Sequence, residues 1–255
     1  LAIAFEAFGR AMALEPLLAS TVLAGRAIAR AGSAVQAARL LPAITEGSLH
    51  GALAHAETGA GHAPCWVETR AEASGGGWRL HGQKRAVLHG DSAGLLVVSA
   101  REAGEPDDRD GIGLFLVAPG AAGLRRDRAA LRDGTPIADL VLHDVVGERL
   151  DGAGWPAIEA ALQAGLVAVL AASAGAMAAA LDLTVEYLKT RRQFGRAIGS
   201  NQALQHRAAE MRVMLEEARS MTLLAAGSLE EPDAERRADD LARARVIVSR
   251  AARAR

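Results

Sequence analysis

Two guanidinium groups, three amides and one phenyl ring are gathered where one apolar stretch ends and the next begins. They belong to Arg191, Arg192, Gln193, Phe194, Asn201 and Gln202. A guanidinium binds phosphate through paired N–H donors, amides bind the edges of heteroaromatic rings, and a phenyl ring can stack beside a ring system. The group can therefore hold a ligand that combines a phosphate with a ring. The alternative is a solvated turn between two helices.

Other candidate motifs are weaker. Gly59-Ala60-Gly61 follows Glu57-Thr58 and could cradle a phosphate, but it lacks the strand-then-helix setting of a dinucleotide fingerprint, and a plain turn is the alternative. Glu57 could act as an acid or base, although a lone glutamate beside a loop is more often a structural hydrogen-bond partner. The seven histidines include no helical pair with a carboxylate, so we expect no metal site.

Helices precede a strand-rich middle in the predicted order of elements. Leu1, Phe5, Phe8 and Met12 recur at helical spacing, and a second helix is predicted from Ile28 to Leu41, ended by Pro42. From about residue 49 the apolar period changes to two, which predicts short strands and a compact barrel or sandwich. The predicted strands cover 67–71, 78–81, 85–89, 95–100, 113–118 and 137–142.

Long helices follow the strands. One begins at Trp155-Pro156 and carries no charge from residue 160 to 181, so a membrane span has to be weighed. Alanine and glycine dominate that stretch and no aromatic belt flanks it, which favours a buried helix of a bundle and no membrane span. A second helix ends at Glu231-Pro232 and a third starts near Asp233. The predicted fold is α+β, with a helical part at 1–48, a β-barrel domain at 49–150 and a helical bundle at 151–255.

Composition limits the partners. The 29 basic and 30 acidic residues nearly cancel, which argues against a nucleic-acid partner. Cys65 is the single cysteine, so an internal disulfide is excluded and a reducing, cytoplasmic location is expected. The sequence opens without methionine and closes without a helix stop signal, and we expect both ends to continue in the full-length protein.

The polar turn carries a family resemblance. Tyr187-Leu188-x-x-Arg191-x-Gln193-Phe194-Gly195-x-x-Ile198-Gly199-x-x-Gln202-Ala203-x-Gln205 resembles the signature of the acyl-CoA dehydrogenases, flavoenzymes that oxidise the α,β bond of an acyl thioester. Ala52 to Gly61 is similar to the family's Thr-Glu-Pro-Gly-Ala-Gly strand and loop, and Leu80-His81-Gly82-Gln83-Lys84 is similar to its Leu-x-Gly-x-Lys hairpin. The resemblance implies the family fold: a helical domain, a central β-barrel and a helical bundle.

The resemblance also implies a cofactor, a substrate and partners. The cofactor would be FAD, with Arg191 at the pyrophosphate, Gln202 at the adenosine side, Gln193 and Phe194 beside them across a dimer, and His55, Ala56 and Leu88 on the strand side. The sequence looks most like the small or β-type subunits of heteromeric bacterial enzymes for pimeloyl-CoA or steroid side chains. That implies an acyl-CoA substrate, a dimer or tetramer with a larger dehydrogenase subunit, and electron-transfer flavoprotein as acceptor.

Departures from the family pattern leave the role in catalysis open. Alanine stands at position 56 where the family has threonine, Ala86-Val87-Leu88 replaces Trp-Ile-Thr, and His62-Ala63 replaces Ser-Asp. No residue is assigned as the catalytic base, because Gly165 falls where some members carry the glutamate and other members carry it beyond the position of Arg255. Three alternatives follow: a subunit of a heteromeric dehydrogenase, a non-catalytic subunit that completes a partner's flavin site, and a homo-oligomer whose base lies beyond Arg255.

Overall fold

Four short helical segments precede the sheet. In the computed structural model, which describes residues 1–61 and 63–253, they are α1 (Ala2–Ala11), a π-helical segment (Leu18–Gly25), α2 (Arg26–Ala31) and α3 (Ala34–Thr45). The prediction of one helix from Ile28 that Pro42 ends is wrong: Pro42 lies inside α3. The break comes earlier, because Ser33 caps α3 in a reciprocal arrangement with Gln36. His62, whose replacement of a family serine was noted above, lies outside the described residues.

Seven strands form one sheet. They are β1 (Gly51–Ala54), β2 (Arg70–Ser74), β3 (Gly77–Leu88), β4 (Leu95–Arg101), β5 (Ile112–Val117), β6 (Leu124–Ala130) and β7 (Pro136–Arg149). β3 is one strand where two were predicted, because register shifts between Leu80 and Gly82 and between Lys84 and Val87 interrupt its apolar alternation. These irregularities are the reason why the apolar periodicity did not predict one long strand.

The sheet curves but is not the closed barrel that was expected. β4 pairs in parallel with β1 and antiparallel with β5, while β7 pairs antiparallel with β3 and β6. The link from β2 to β4 is the single residue pair Arg70 and Arg101, and β5 meets β7 at two pairs. Because these two ladders are so short, the hydrogen-bonded wall is not continuous.

Two compact units divide the chain: the sheet unit (Glu15–Leu162) and the helical unit (Leu1–Leu14 with Gln163–Arg255). The division of the chain into three domains stays a prediction. Apolar side chains fill the sheet unit in two clusters. One joins the short helices to the sheet around Ile28, Leu114 and Leu150, and the other lies on the second face around Leu96 and Phe115. The strands are therefore covered on both faces over much of their length.

Long helices build the helical unit. They are α4 (Gly154–Thr190), which starts in the sheet unit, α5 (Gln202–Ser228) and α6 (Ala234–Arg253), with a hairpin of β8 (Arg192–Gln193) and β9 (Arg196–Ala197) between α4 and α5. Val167, Leu170, Ala218, Leu241 and Val248 are buried between the helices. α4 is long and apolar enough to cross a membrane by composition alone, but 56% of its most apolar window is buried within the protein. It is the core helix that the alanine-rich sequence predicted.

Candidate functional site

The hairpin between α4 and α5 presents the polar group found in the sequence. Gln193 pairs with Arg196, and the two residues between them, Phe194 and Gly195, have φ angles of 50° and 81°. Two successive left-handed residues make the type I′ turn that suits a two-residue hairpin. A phenylalanine is rarely found in that conformation. The turn thus holds the Phe194 ring fully in solvent, 100% exposed.

The three arginines of this hairpin are not equivalent. Arg192 donates to the carbonyl oxygen of Gly195 at 3.2 Å, and Arg196 donates to Oδ1 of Asn201 at 2.8 Å. Arg191 is exposed, and its guanidinium makes no hydrogen bond or ion pair with any residue that the structure describes. It is therefore the guanidinium that stays available for an anionic ligand.

The start of α5 lies at the base of the hairpin. Asn201 has its side chain engaged by Arg196, and Gln202, the first residue of α5, is exposed. Gly199 allows this approach, because a Cβ there would lie 2.7 Å from the carbonyl oxygen of Leu188. A cleft of about 510 Å³ runs beside it. Its walls are Val185, Leu188, Lys189, Ala197, Gly199, Gln205 and Ala208. Arg191, Gln193, Phe194 and Gln202 are thus brought together within one short, exposed stretch.

The other predicted contacts lie in the sheet unit, at the end of β1 and along β3. Ala56 is exposed, and its carbonyl oxygen accepts a hydrogen bond from the N–H of Arg85 at 2.8 Å. Leu88 is half-buried and pairs with Ile137 of β7. Ala86, with a φ of 50°, donates its N–H to Oδ1 of Asp139 at 2.8 Å. Ala56 and Ala86 thus present small, exposed side chains here, while the Ala56 carbonyl and the Ala86 N–H are already hydrogen-bonded within the protein.

His55 does not point to that surface. Its ring is buried; Nδ1 lies 2.9 Å from Oγ of Ser99 and Nε2 lies 2.7 Å from the carbonyl oxygen of Pro64. Both ring nitrogens are bonded within the protein, and a contact of His55 with the cofactor stays a prediction. Just after the end of β1, His55 and Glu57 face inward while Ala56 between them faces outward.

A buried ion pair lies beneath this strand end. Nζ of Lys84, fully buried, lies 2.6 Å from Oε1 of Glu57 and donates to Oγ of Ser99 at 2.9 Å. Glu57 also accepts hydrogen bonds from the N–H of Glu68 and from the N–H and hydroxyl of Thr69. The structure thus confirms the interpretation of Glu57 as a structural hydrogen-bond partner. Lys84 stands in a motif quoted above, but no role was predicted for Lys84, Ser99 or Thr69. The available signal was a lysine between two predicted strand runs.

Burial sets the protonation of these groups. It lowers the pKa of His55 to about 4, with the charge of Lys84 adding to the effect, so the ring is neutral at pH 7. Burial also lowers the pKa of Lys84 to about 8, against the opposing charge of Glu57. Burial alone would raise the pKa of Glu57, but the Lys84 charge and the hydrogen bonds outweigh it and lower that pKa. The pair is therefore ionised at neutral pH.

Comparison with known proteins decides the family. The middle domain of acyl-CoA dehydrogenases matches residues 52–145, and the C-terminal domain of acyl-CoA dehydrogenases matches residues 152–254. The Tcur3481-Tcur3483 steroid ACAD superposes with a TM-score of 0.82 at 32% identity, covering 98% of this chain and 68% of that one. The chain belongs to the acyl-CoA dehydrogenase family.

Individual relatives of this acyl-CoA dehydrogenase chain differ in what their names say they act on. Isovaleryl-CoA dehydrogenase of Arabidopsis thaliana is 31% identical over 202 residues, which is 76% of this chain and 49% of that protein. The L-prolyl-[peptidyl-carrier protein] dehydrogenase of Pseudomonas fluorescens is 31% identical over 206 residues, 76% of this chain and 53% of that protein. The chain spans about half the length of the curated relatives it matches.

A solved relative carries a cofactor. PigA with FAD and proline superposes with a TM-score of 0.87 at 26% identity, and the match covers 98% of this chain and 68% of that chain. The fold order expected from the resemblance, helices, then a sheet, then a helical bundle, is confirmed for this acyl-CoA dehydrogenase chain. The one difference is the incomplete closure of the sheet.

Proposed function

We propose that the protein is part of an FAD-dependent acyl-CoA dehydrogenase that removes two hydrogens from the α,β bond of an acyl-CoA thioester. The observation that carries the proposal is the hairpin: within a chain of this family, Arg191 is an exposed guanidinium without a partner among the described residues, beside a Phe194 ring held fully in solvent. An exposed phenyl in a left-handed turn is unfavourable in an isolated chain, which supports a role in binding.

The residues present fit FAD by their chemistry. Arg191 suits a pyrophosphate, and the amides of Gln193 and Gln202 suit the edges of the adenosine part. The exposed segment at Ala56 and the β3 segment to Leu88 would lie against the isoalloxazine ring, although two side-chain contacts of the family pattern are missing there. The chemistry that a bound FAD supplies is acceptance of the β-hydrogen as hydride.

The residues of this chain would bind the cofactor and orient it. Arg191 and Gln202 would fix the cofactor's phosphates and adenosine, and the hairpin would extend toward a flavin held mainly by a neighbouring subunit. The residue at the alternative base position, Gly165, is buried in α4 and carries no titratable group. No catalytic base is therefore assigned among the residues of this sequence.

We propose that the assembly is a hetero-oligomer with a larger dehydrogenase subunit. The changed positions Ala56 and Leu88 weaken this chain's own flavin site, and the structural relative at 32% identity has a name that joins two gene products. A non-catalytic subunit that completes the partner's flavin site is the second candidate, favoured by the same lost contacts. We further propose electron-transfer flavoprotein as acceptor, a cytoplasmic location, and the division into domains at 1–48, 49–150 and 151–255.

Purification of the tagged protein from cells that express it natively tests the proposal. The expected result is a yellow preparation that contains a larger dehydrogenase subunit and loses flavin absorbance when acyl-CoA is added. A colourless preparation that stays inactive with the partner present would contradict it. A yellow, active preparation of this chain alone would support the proposed activity and contradict the proposed hetero-oligomer. Flavin bound only by the partner's sheet would favour the non-catalytic subunit.

A further inference from the structure

His55 begins a hydrogen-bonded chain whose direction is fixed by chemistry. A carbonyl oxygen only accepts, so the contact from Nε2 to Pro64 requires a proton on Nε2. In the neutral ring Nδ1 is then an acceptor, and it takes the hydroxyl proton of Ser99. The oxygen of Ser99 in turn accepts from Nζ of Lys84. The tautomer of His55 is thus determined by its two neighbours.

The far end of this chain has no spare donor. Lys84 as an ammonium has three protons, and it has three acceptors: Oε1 of Glu57 at 2.6 Å, Oγ of Ser99 at 2.9 Å and the carbonyl oxygen of His55 at 3.4 Å. Exchanging the His55 tautomer would leave the Pro64 carbonyl facing a bare nitrogen and would reverse the Ser99 hydroxyl. Because these groups are buried, such a mismatch is unfavourable.

Both ends of one loop are held by this chain of bonds. His55 holds the loop at Pro64, while the carboxylate of Glu57 holds it again at the N–H groups of Glu68 and Thr69. Ala56 lies between the two inward-facing residues and is the one that faces solvent. Its orientation therefore depends on two buried anchors on either side of it.

We propose that His55 is a positioning residue: through its Nε2–H bond to Pro64 and its Nδ1 bond to Ser99 it fixes the loop after β1 and the exposed Ala56 peptide in the orientation that receives the flavin. The inference rests on the proposed FAD-binding function. The loop-anchoring part of it stands on the hydrogen bonds alone, so it can be measured in protein without cofactor.

Two substitutions distinguish the hydrogen bond that the ring makes to Pro64 from the one that it makes to Ser99. In His55→Gln the amide reaches as far as Nε2 and can still donate to Pro64, whereas in His55→Asn the shorter amide can meet only Ser99. The matched control is His50→Asn, an exposed histidine just before β1. The readout is hydrogen exchange at the amides of Ala60, Ala63 and Trp66, each of which donates to a carbonyl three residues earlier.

In the cofactor-free protein we expect exchange at these amides to rise on the order of tenfold in His55→Asn, the loss that one broken hydrogen bond implies, and to stay near wild type in His55→Gln and His50→Asn. With FAD bound, His55→Asn should also shift the flavin absorbance and His55→Gln should restore it. Unchanged exchange in His55→Asn, or equal exchange in His55→Gln and His55→Asn, would overturn the inference.

Ser99→Ala is the second variant in case His55→Asn does not fold. It removes the donor to Nδ1, so the ring keeps its bond to Pro64 but loses its second anchor. Exchange of the same three amides should then rise; no rise would overturn the inference. Absence of FAD binding in the wild-type protein would instead contradict the proposed function. In that case the exchange result would still decide whether His55 anchors the loop.

Discussion

At the scale of single residues, polar groups that are bonded within the protein differ from those that remain available for a ligand. Arg192 and Arg196 are bonded within the hairpin, and Glu57 is bonded to Lys84 and Thr69, so these groups maintain the fold. Arg191 has no such bond among the described residues. Binding an anion therefore costs Arg191 no internal contact, which is the property expected of a ligand-binding arginine.

The buried His55 makes stability depend on pH. Its folded pKa of about 4 is below the unfolded value of 6.5, so its contribution is complete above pH 6.5 and is lost as pH falls toward 4. The pKa of Glu57 is lowered from 4.5, so that group loses its contribution only below pH 4.5. Burial also lowers the pKa of His89 from 6.5, and that contribution is the same in the wild type and in His55→Gln. Between pH 7 and pH 5 the wild type should lose about 2 kcal/mol more unfolding free energy than His55→Gln, measured by urea denaturation. An equal loss in both proteins would contradict the buried neutral ring.

At the scale of elements, close packing of α1 on α4 depends on glycine. Both Gly9 and Gly175 lie where a side chain would overlap the backbone of the other helix. Ion pairs of 2.7 Å between Arg10 and Asp182 and of 2.8 Å between Glu6 and Arg219 lie at the same helix. These pairs are largely exposed and contribute little, so the backbone approach itself determines the packing.

A pair of glycine substitutions tests this packing. In Gly175→Ala the new methyl group would overlap the carbonyl oxygen of Glu6 and lie 2.8 Å from the nitrogen of Arg10, so the unfolding free energy should fall by about 1–3 kcal/mol. Gly227→Ala in α5 meets nothing within 4 Å and should leave stability unchanged or raise it by up to about 1 kcal/mol. Urea unfolding of both variants provides the comparison; equal effects would contradict the account.

Sequence periodicity predicted α4, α5 and α6 because each helix has one buried apolar face over many turns. It divided β3 in two, since bulges at Gly82 and near Ala86 interrupt the alternation, and it placed the end of a helix at Pro42, where a capping box at Ser33 decides instead. Pro42 has no N–H to donate within α3, so the helix continues through it with one hydrogen bond fewer.

The sequence predicted that the hairpin residues of the candidate site lie together but did not predict the buried network near His55. Arg191, Gln193, Phe194 and Gln202 are close in sequence, so their proximity follows from a short turn. The network of His55, Ser99 and Lys84 joins residues 15 to 44 positions apart. Such pairings depend on strand register, which a single sequence does not reveal.

At the scale of the whole molecule, the residues proposed to contact the cofactor are largely exposed. The hairpin presents Arg191 and Phe194 to solvent, and alanine stands at the exposed position 56. A chain of the acyl-CoA dehydrogenase family with these features is suited to an assembly in which cofactor contacts are shared between subunits. The proposed function depends on one claim, that the hairpin binds FAD.

The affinity of the native complex for FAD tests that claim most directly. Arg191→Ala should raise the dissociation constant of FAD by roughly 10- to 100-fold, because hydrogen bonds to a charged group contribute about 1.5–3 kcal/mol. Arg243→Ala removes the same charge from an exposed ion pair on α6 and should change the constant by less than about twofold. Titration of the apoprotein with FAD, followed by flavin fluorescence, gives both values. An Arg191→Ala complex that binds FAD as tightly as wild type would contradict the account.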